Sequence, residues 1–237
     1  MLQLSGLSLH FGALHVLDGL DLAVEEGEVL GVLGPNGAGK TTLFNVITGV
    51  YRPTAGEVVF GGRRIDKLRP WHRCRAGIGR TFQVPKPFTD ITVFENVLTA
   101  AVHGGGQSMR AAAGRAAEVL DLTGLAHCAR QKAGALSLLD LKRLELAKAV
   151  ACGPRLLLLD EIAGGLTDHE CGTLLEILHG LRDRGMTIVW IEHVIHALKS
   201  AATRLTVLHG GGFIADGAPD AVLADPKVQE IYLGAVD

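Results

Sequence analysis

The sequence predicts an α/β fold in which a mixed or parallel sheet carries an N-terminal antiparallel β-subdomain and an inserted α-helical subdomain. Three observations predict it. Apolar residues alternate near the N-terminus, a helical pattern later in the chain lies between two short apolar runs, and the middle third is helical whereas both ends are rich in strands. The 237 residues are enough for a large core in one domain or in two tightly joined lobes.

The first third predicts strands, a loop and one helix. Leucines alternate with other residues in both N-terminal stretches, which is typical of antiparallel strands with one buried face. An apolar run at 29–33 predicts a buried strand, 34–39 a loop and 40–48 a helix. A further strand is expected to end at Phe60, before the turn at Gly61 and Gly62.

The middle third predicts three helices. Thr92 with Glu95 three residues later indicates a capping box, and this helix is expected to end near the glycines at 104–106. Residues 110–122 form a second helical pattern, and Ser137 is expected to cap a third helix with Asp140 in its first turn. We therefore expect a helical subdomain at about 89–152, inserted into a core at about 1–88 and 153–237.

The last third returns to the core. β-rich runs at 156–159 and 187–191 enclose a helical segment at 168–184, a βαβ pattern that predicts parallel strands. The glycines at 210–212 are expected to connect two late strands. Pro219 and Pro226 are expected to start short terminal helices.

Composition excludes several classes of protein. A formal net charge of −2 gives no basic field for nucleic acid, and the local basic run from Arg63 to Arg80 is interpreted as a solvated edge. The four cysteines show neither pairing nor metal-ligand spacing, which favours free thiols in a reducing compartment. The start lacks a signal-peptide pattern, and no apolar run approaches the ~20 residues of a membrane span. We expect a cytosolic protein that docks on a membrane component.

The strongest motif is GPNGAGKT, residues 34–41, which matches G-x-x-x-x-G-K-[ST] at each specified position. Its glycines let backbone N–H groups face phosphate, and the following helix presents a positive N-terminus. The expected strand and helix disfavour a chance glycine-rich turn, so we predict a P-loop NTPase core. The residues predicted to bind nucleotide are Gly34, Pro35, Asn36, Gly37, Ala38, Gly39, Lys40, Thr41 and Thr42.

Two carboxylates follow the apolar run at 156–159. A carboxylate at the carboxyl end of a parallel strand points toward the crevice where ligands bind. Asp160, together with the Thr41 hydroxyl, is expected to hold Mg²⁺, and Glu161 is expected to act as general base on water. Taken alone the pair fits a strand cap equally well, but the P-loop upstream favours the catalytic interpretation.

The ordered set of motifs resembles the ATP-binding cassette (ABC) ATPases over nearly the whole chain. The resemblance implies ATP as substrate, with Gln83 of RTFQ bridging Mg²⁺ or the attacking water and His193 contacting the γ-phosphate. It also implies that Phe11 stacks on adenine, although core packing is the alternative for this ring. Ser137 corresponds to the signature serine that faces nucleotide held by a second ATPase subunit, which is an implied homo- or heterodimer partner.

A narrower resemblance is to the ATPases of branched-chain amino-acid importers and their urea and amide relatives. It rests on residues 79–101 and on the ending DAVLADPKVQEIYLG at 220–234. The resemblance implies membrane-embedded permease partners, with the chain peripheral at the cytoplasmic face of the inner membrane.

The signature departs from the family pattern, because LSLLD at 136–140 replaces LSGGQ. Leu138 and Leu139 add bulk, and Asp140 adds a negative charge where phosphate is expected. Ile162 and Thr167 also stand where the family commonly has proline and Asp or Asn. These departures support one alternative, an ATP-clamping subunit with weak, partner-dependent or regulatory activity. A second alternative, a soluble P-loop GTPase or kinase, is open independently of them. The absence of Asn-Lys-x-Asp disfavours a GTPase.

Overall fold

A computed structural model describes residues 1–233, which form two compact units. The first unit comprises residues 1–70 and 187 onward, and the second comprises residues 71–186. The predicted helical subdomain at 89–152 lies inside the second unit, and its boundaries remain a prediction. Gly234, the last residue of the terminal motif, lies outside the described residues.

The described residues form ten strands and nine α-helices. The strands are β1 (Leu2–Phe11), β2 (Leu14–Val24), β3 (Val29–Leu33), β4 (Ala55–Phe60), β5 (Arg63–Arg64), β6 (Ile78–Arg80), β7 (Leu156–Asp160), β8 (Thr187–Ile191), β9 (Arg204–His209) and β10 (Gly212–Gly217). The helices are α1 (Lys40–Thr48), α2 (Pro70–Arg75), α3 (Val93–Thr99), α4 (Met109–Leu122), α5 (Leu138–Ala151), α6 (Asp168–Asp183), α7 (Ile195–Ala201), α8 (Pro219–Leu223) and α9 (Pro226–Leu233).

The first unit contains an antiparallel sheet in the order β2-β1-β4-β5. Leu2 pairs with Val24 on one side and with Phe60 on the other, so β1 lies inside the sheet. Seven leucines of β1 and β2 are buried, because they share the face that packs into the core, whereas Leu14 at the start of β2 is exposed. The predicted N-terminal antiparallel subdomain is therefore confirmed.

The first unit also contains strands in the order β10-β9-β3-β8. β3 pairs in parallel with both β8 and β9, and β10 closes this edge antiparallel to β9. All five residues of β3 are buried, as expected of a central strand covered on both faces. The carboxyl end of β3 leads directly into the glycine-rich loop and α1.

The second unit joins a short parallel pair to a group of helices. β6 and β7 pair in parallel, with Gly79 opposite Leu157, and β7 is completely buried. Helices α3, α4 and α5 pack against one another. Thr92 and Glu95 form the predicted capping box, and Ser137 caps α5 as expected.

Some short elements escaped prediction. α2, β6 and α7 have six, three and seven residues, which is too short for a period to emerge. In β6 the middle residue is Gly79, where a Cβ would lie only 3.0 Å from Pro154 Cβ, so close packing rather than strand propensity explains this residue. After α3 the chain continues through one π-helical turn, Ala100–Gly104, which ends at the predicted glycines.

The interpretation of the basic run as a solvated edge is wrong in two places. Arg64 is exposed, as expected, but Arg73 is 1% exposed and the Arg80 side chain 7% exposed. Arginine is buried at such positions only with partners for its charge. Among the helices of residues 1–233, none combines the length and apolar character needed to cross a membrane.

Candidate functional site

The P-loop lies in the first unit and connects β3 to α1. Gly39, the residue before α1, has φ 101°, and a Cβ there would lie 2.9 Å from the carbonyl oxygen of Val16. At Gly34 a Cβ would overlap the carbonyl oxygen of Leu208. Both glycines are therefore required by neighbouring backbone as well as by the turn itself. Because Gly39 has no side chain, it cannot cap the first N–H groups of α1. A helix N-terminus without such a cap is suited to binding an anion through these N–H groups.

Lys40 is the first residue of α1 and is 5% exposed. Its ammonium donates hydrogen bonds to the carbonyl oxygens of Gly34, at 2.6 Å, and Pro35, at 3.0 Å. These bonds hold the positive charge inside the loop. Thr41 follows in the first helical turn and is exposed. The loop thus places a cation and a hydroxyl together, the pair expected for phosphate and Mg²⁺.

Phe11 and His193 also belong to the first unit. Phe11 ends β1, is 47% exposed and meets the Tyr51 ring edge to face, with 5.3 Å between centroids. This exposure contradicts the core alternative for Phe11 and leaves adenine stacking as a prediction. His193 is exposed two residues after β8, and its backbone N–H donates to Glu192 Oε1 at 2.9 Å. Its expected place after a strand is confirmed, and its role remains a prediction.

In the second unit, Gln83 and Glu161 meet. Gln83 Nε2 donates to Glu161 Oε2 at 2.5 Å, although the two residues are 78 apart in sequence. Glu161 follows β7 directly and has φ 47°, a left-handed backbone that non-glycine residues adopt at a cost. The strained backbone and the amide together aim the carboxylate, so the arrangement suits a group that must be positioned to accept a proton.

Asp160 is the last residue of β7 and is almost completely buried. Its carboxylate forms an ion pair with Arg80, with Nη2 2.8 Å from Oδ2, and both side chains are less than 8% exposed. Thr81 fixes the neighbouring backbone, because its hydroxyl accepts from Asp160 N–H at 3.1 Å and its own N–H donates to Leu158 O at 2.9 Å. A carboxylate held in this way at a strand end is a suitable oxygen donor for a hard divalent cation.

Arg80 and Lys142 were missed as site residues in the sequence. Lys142, in α5, is 4% exposed and donates to the carbonyl oxygens of Glu161, at 3.0 Å, and Gln83, at 3.3 Å. It therefore ties the Gln83 loop to the strand end. One sequence signal existed for Arg80, since it lies three residues before Gln83. Lys142 lies beside Arg143 in a helix of mixed charged and apolar residues and gave no comparable signal.

The signature residues form an ordered helix start. Ser137 Oγ accepts from the backbone N–H of Asp140 at 3.2 Å and donates to its carboxylate at 3.1 Å. Arg143 pairs with the same carboxylate at 3.2 Å, which neutralises the charge that Asp140 adds. Leu138 is 46% exposed, so it presents bulk at the surface where glycine is usual in the resembled family. Thr167 caps α6 in a capping box with Glu170, so this departure preserves a helix start.

Comparison with known proteins gives consistent matches. The family model for the ABC transporter matches residues 17–164, and that for the branched-chain amino acid ATP-binding cassette transporter matches residues 214–237. The chain is 36% identical to the high-affinity branched-chain amino acid transport ATP-binding protein BraF of Pseudomonas aeruginosa, covering 99% of the chain and 98% of BraF.

Two solved structures extend the comparison. The ADP conformation of an ATP-binding cassette of an ABC transporter has a TM-score of 0.89 and 31% identity, covering 99% of this chain and 98% of that one. A dimeric structure of a bacterial ABC transporter cassette has a TM-score of 0.82 and 26% identity, covering 92% and 99%. The fold therefore agrees with that of ABC transporter cassettes over at least 92% of the chain.

Proposed function

Since the chain belongs to the family of ABC transporter ATP-binding cassettes, which are ATPases that energise transport, we propose that it drives the import of branched-chain amino acids. Two matches support this solute class. BraF is named for branched-chain amino acid transport, and the family model that matches residues 214–237 is described as that of the branched-chain amino acid ATP-binding cassette transporter. Membership of the family excludes the alternative of a soluble GTPase or kinase. The relatives, named as transport ATP-binding proteins, give no support to a degenerate regulatory subunit.

The geometry supports a division of chemical roles among the chain's residues. Lys40 and the P-loop amides bind the phosphates, Phe11 stacks on adenine, and His193 contacts the γ-phosphate. Glu161 accepts the proton of the attacking water, with Gln83 orienting its carboxylate. The observation that carries the hydrolytic part is the hydrogen bond between Gln83 and Glu161 at a strained strand end.

The oxygen donors fit Mg²⁺ as the metal of this reaction. Asp160 offers a buried carboxylate and Thr41 an exposed hydroxyl, both hard ligands that a small divalent cation prefers. When bound, Mg²⁺ supplies positive charge that offsets the charge of the phosphates. Gln83 is proposed as a further ligand through its amide oxygen.

We propose that the working assembly contains permease subunits and a second ATPase. The dimeric cassette structure supports pairing of cassettes, and the transport names of the relatives support a permease partner. Such an assembly holds the chain at the cytoplasmic face of the inner membrane as a peripheral subunit. Neither the charge nor the site residues point to nucleic acid.

Uptake in cells tests the proposed solute directly. In a strain lacking this chain, uptake of radiolabelled leucine, isoleucine and valine should fall, and wild-type chain should restore it whereas Glu161→Gln should not. Uptake of lysine serves as the control for general loss of energy supply. Unchanged uptake of all three branched-chain amino acids would refute the solute assignment while leaving the ATPase assignment to be judged by hydrolysis.

A further inference from the structure

The hairpin formed by β1 and β2 carries a cluster of possible metal ligands outside the predicted nucleotide residues. His10, His15 and Asp18 each offer a ligand atom, and these atoms all lie within 4.8 Å of one another. His10 is partly buried, whereas His15 and Asp18 are exposed. None of the three is assigned a part in the ATP chemistry above.

The register of the hairpin explains how the three side chains meet. His10 pairs directly with His15 across the two strands, and cross-strand partners place their Cβ atoms about 5 Å apart. The preceding pair is Leu9 with Leu17, so β2 has one extra residue, Val16, at this point. Such a bulge reverses the alternation of side chains along β2. Asp18, three residues after His15, therefore lies on the same face as the two histidines.

The two imidazole rings already lie against each other. Their centroids are 3.8 Å apart and their planes 18° from parallel. Nε2 of His10 is buried and makes no hydrogen bond with any residue from 1 to 233. A buried ring nitrogen that lacks a partner is unusual, because unpaired buried polar atoms cost free energy.

The chemistry of the three donors selects one class of ion. Imidazole nitrogens suit Zn²⁺, Ni²⁺ and Cu²⁺, whereas Mg²⁺ and Ca²⁺ prefer sites made only of oxygen. A carboxylate adds negative charge that favours a cation. Three protein ligands with open remaining positions for water match a common pattern for transition metals.

We propose that His10, His15 and Asp18 form a binding site for a divalent transition-metal ion. Binding requires the stacked rings to tilt so that one nitrogen of each faces the ion. The exposed His15 and Asp18 side chains can make this adjustment without disturbing the core. Affinity should follow the usual order for nitrogen and oxygen ligands, with Cu²⁺ bound most tightly.

The alternative is that the stacked histidines serve only to pack the hairpin. The two possibilities separate cleanly, because a packing pair would affect stability but would not bind metal. The proposal is also independent of the transport function, since none of its residues is predicted to touch ATP.

Metal binding by the purified full-length chain, free of nucleotide and of any histidine tag, tests the site. Isothermal titration with ZnCl₂ and NiCl₂ should give one site per chain, and His15→Gln or Asp18→Asn should weaken it at least ~10-fold. His169→Gln, at an exposed histidine on α6, is the matched control and should leave affinity unchanged. With Cu²⁺, electron paramagnetic resonance should show two nitrogen ligands in wild type and one in His15→Gln.

Absence of metal binding by the wild-type chain would overturn the proposal, and so would either of two further results. One is wild-type binding of Zn²⁺ that persists at full affinity in His10→Gln combined with His15→Gln. The other is binding that disappears in Cys74→Ser, which would place the ion at a thiol instead. Circular dichroism of each variant confirms that the chain remains folded.

Discussion

Lys40 carries a positive charge that the P-loop holds close to its own backbone. We expect Lys40→Ala to lower ATP affinity and hydrolysis by at least ~10²-fold, because the only side-chain cation of the P-loop motif disappears from a site built for phosphate. Equilibrium binding of a fluorescent ATP analogue and phosphate release measure the two effects. Circular dichroism should be unchanged, and normal hydrolysis with normal affinity would contradict the phosphate-binding role.

The ion pair between Arg80 and Asp160 matters for stability because both charges are buried. Arg80→Met should destabilise the chain by about 3 kcal/mol, since it removes one partner of a buried pair while preserving much of the side-chain volume. The midpoint of urea unfolding measures this change. Arg182→Met removes an exposed pair with Asp183 in the same unit and should leave the midpoint unchanged. Equal effects in the two variants would contradict the argument.

At the scale of elements, the structure brings close together two cysteines, Cys74 and Cys152, that are 78 residues apart in the sequence. Sγ of Cys74 lies 3.6 Å from the carbonyl oxygen of Gly104, in the π-helical turn. Sγ of Cys152 lies 3.5 Å from the carbonyl oxygen of Ala100. A hydrogen bond from Cys152 lowers the pKa of Cys74 to about 7, against the opposing effect of burial, and Arg75 adds to the lowering. The hydrogen bond with Cys74 and burial both raise the pKa of Cys152. Cys74 and Cys152 are free thiols, as the sequence predicts, and tertiary packing rather than sequence spacing brings them together.

Cys74 should therefore react as a thiolate near neutral pH. Because its pKa is lowered, the rate of alkylation by iodoacetamide should rise with pH and reach its half-maximum near pH 7. Cys152→Ala removes the hydrogen-bond donor and should move this midpoint upward, toward the ordinary thiol range. Peptide mass spectrometry at a series of pH values locates the modified residue. A midpoint that Cys152→Ala leaves unchanged would contradict the pairing.

Elements with a local signal in the sequence could be predicted, whereas elements that depend on contacts between distant residues could not. Strands such as β3 and β8 were located to the residue because a short run rich in apolar and β-branched residues spans each of them. Helix starts were located by local side-chain caps such as Thr92. β6 was missed because its glycine is explained by contact with Pro154, which lies 75 positions away and leaves no local pattern.

In the candidate site, too, local motifs could be predicted from the sequence and contacts between distant segments could not. Motifs along the chain indicated the P-loop, Gln83, Glu161 and His193, and their assignment to the site remains a prediction. The contact between Gln83 and Glu161 could not be read from either segment, because tertiary packing makes it. The roles of these residues in catalysis remain predictions.

At the scale of the whole molecule, the altered signature raises the question of partnership. A cassette dimer is proposed to join one chain's P-loop to the other chain's signature at each site. This chain has a complete P-loop but a signature with exposed Leu138, whereas Asp140 is neutralised by Arg143. Bulk, rather than charge, is therefore the property expected to weaken a neighbour's site. We infer that a non-identical ATPase supplies the intact signature.

Activity with and without a partner tests this asymmetry. The chain alone should hydrolyse ATP slowly, and either the co-purified partner or the combined change Leu138→Gly and Leu139→Gly should raise the rate. The alternative is that Ser137 and the helix N-terminus suffice, because backbone N–H groups bind phosphate. Full activity of the chain alone, with no gain from either change, would support that alternative and refute the asymmetric scheme.

The central claim is that this chain hydrolyses ATP with Glu161 as general base. Single-turnover hydrolysis by the chain with its co-purified subunits tests it most directly, with wild type compared to Glu161→Gln. The variant should bind ATP normally and accumulate as an ATP-bound dimer, while its hydrolysis falls ~10²-fold or more. Hydrolysis by Glu161→Gln at the wild-type rate would contradict the claim and reduce Glu161 to a strand cap.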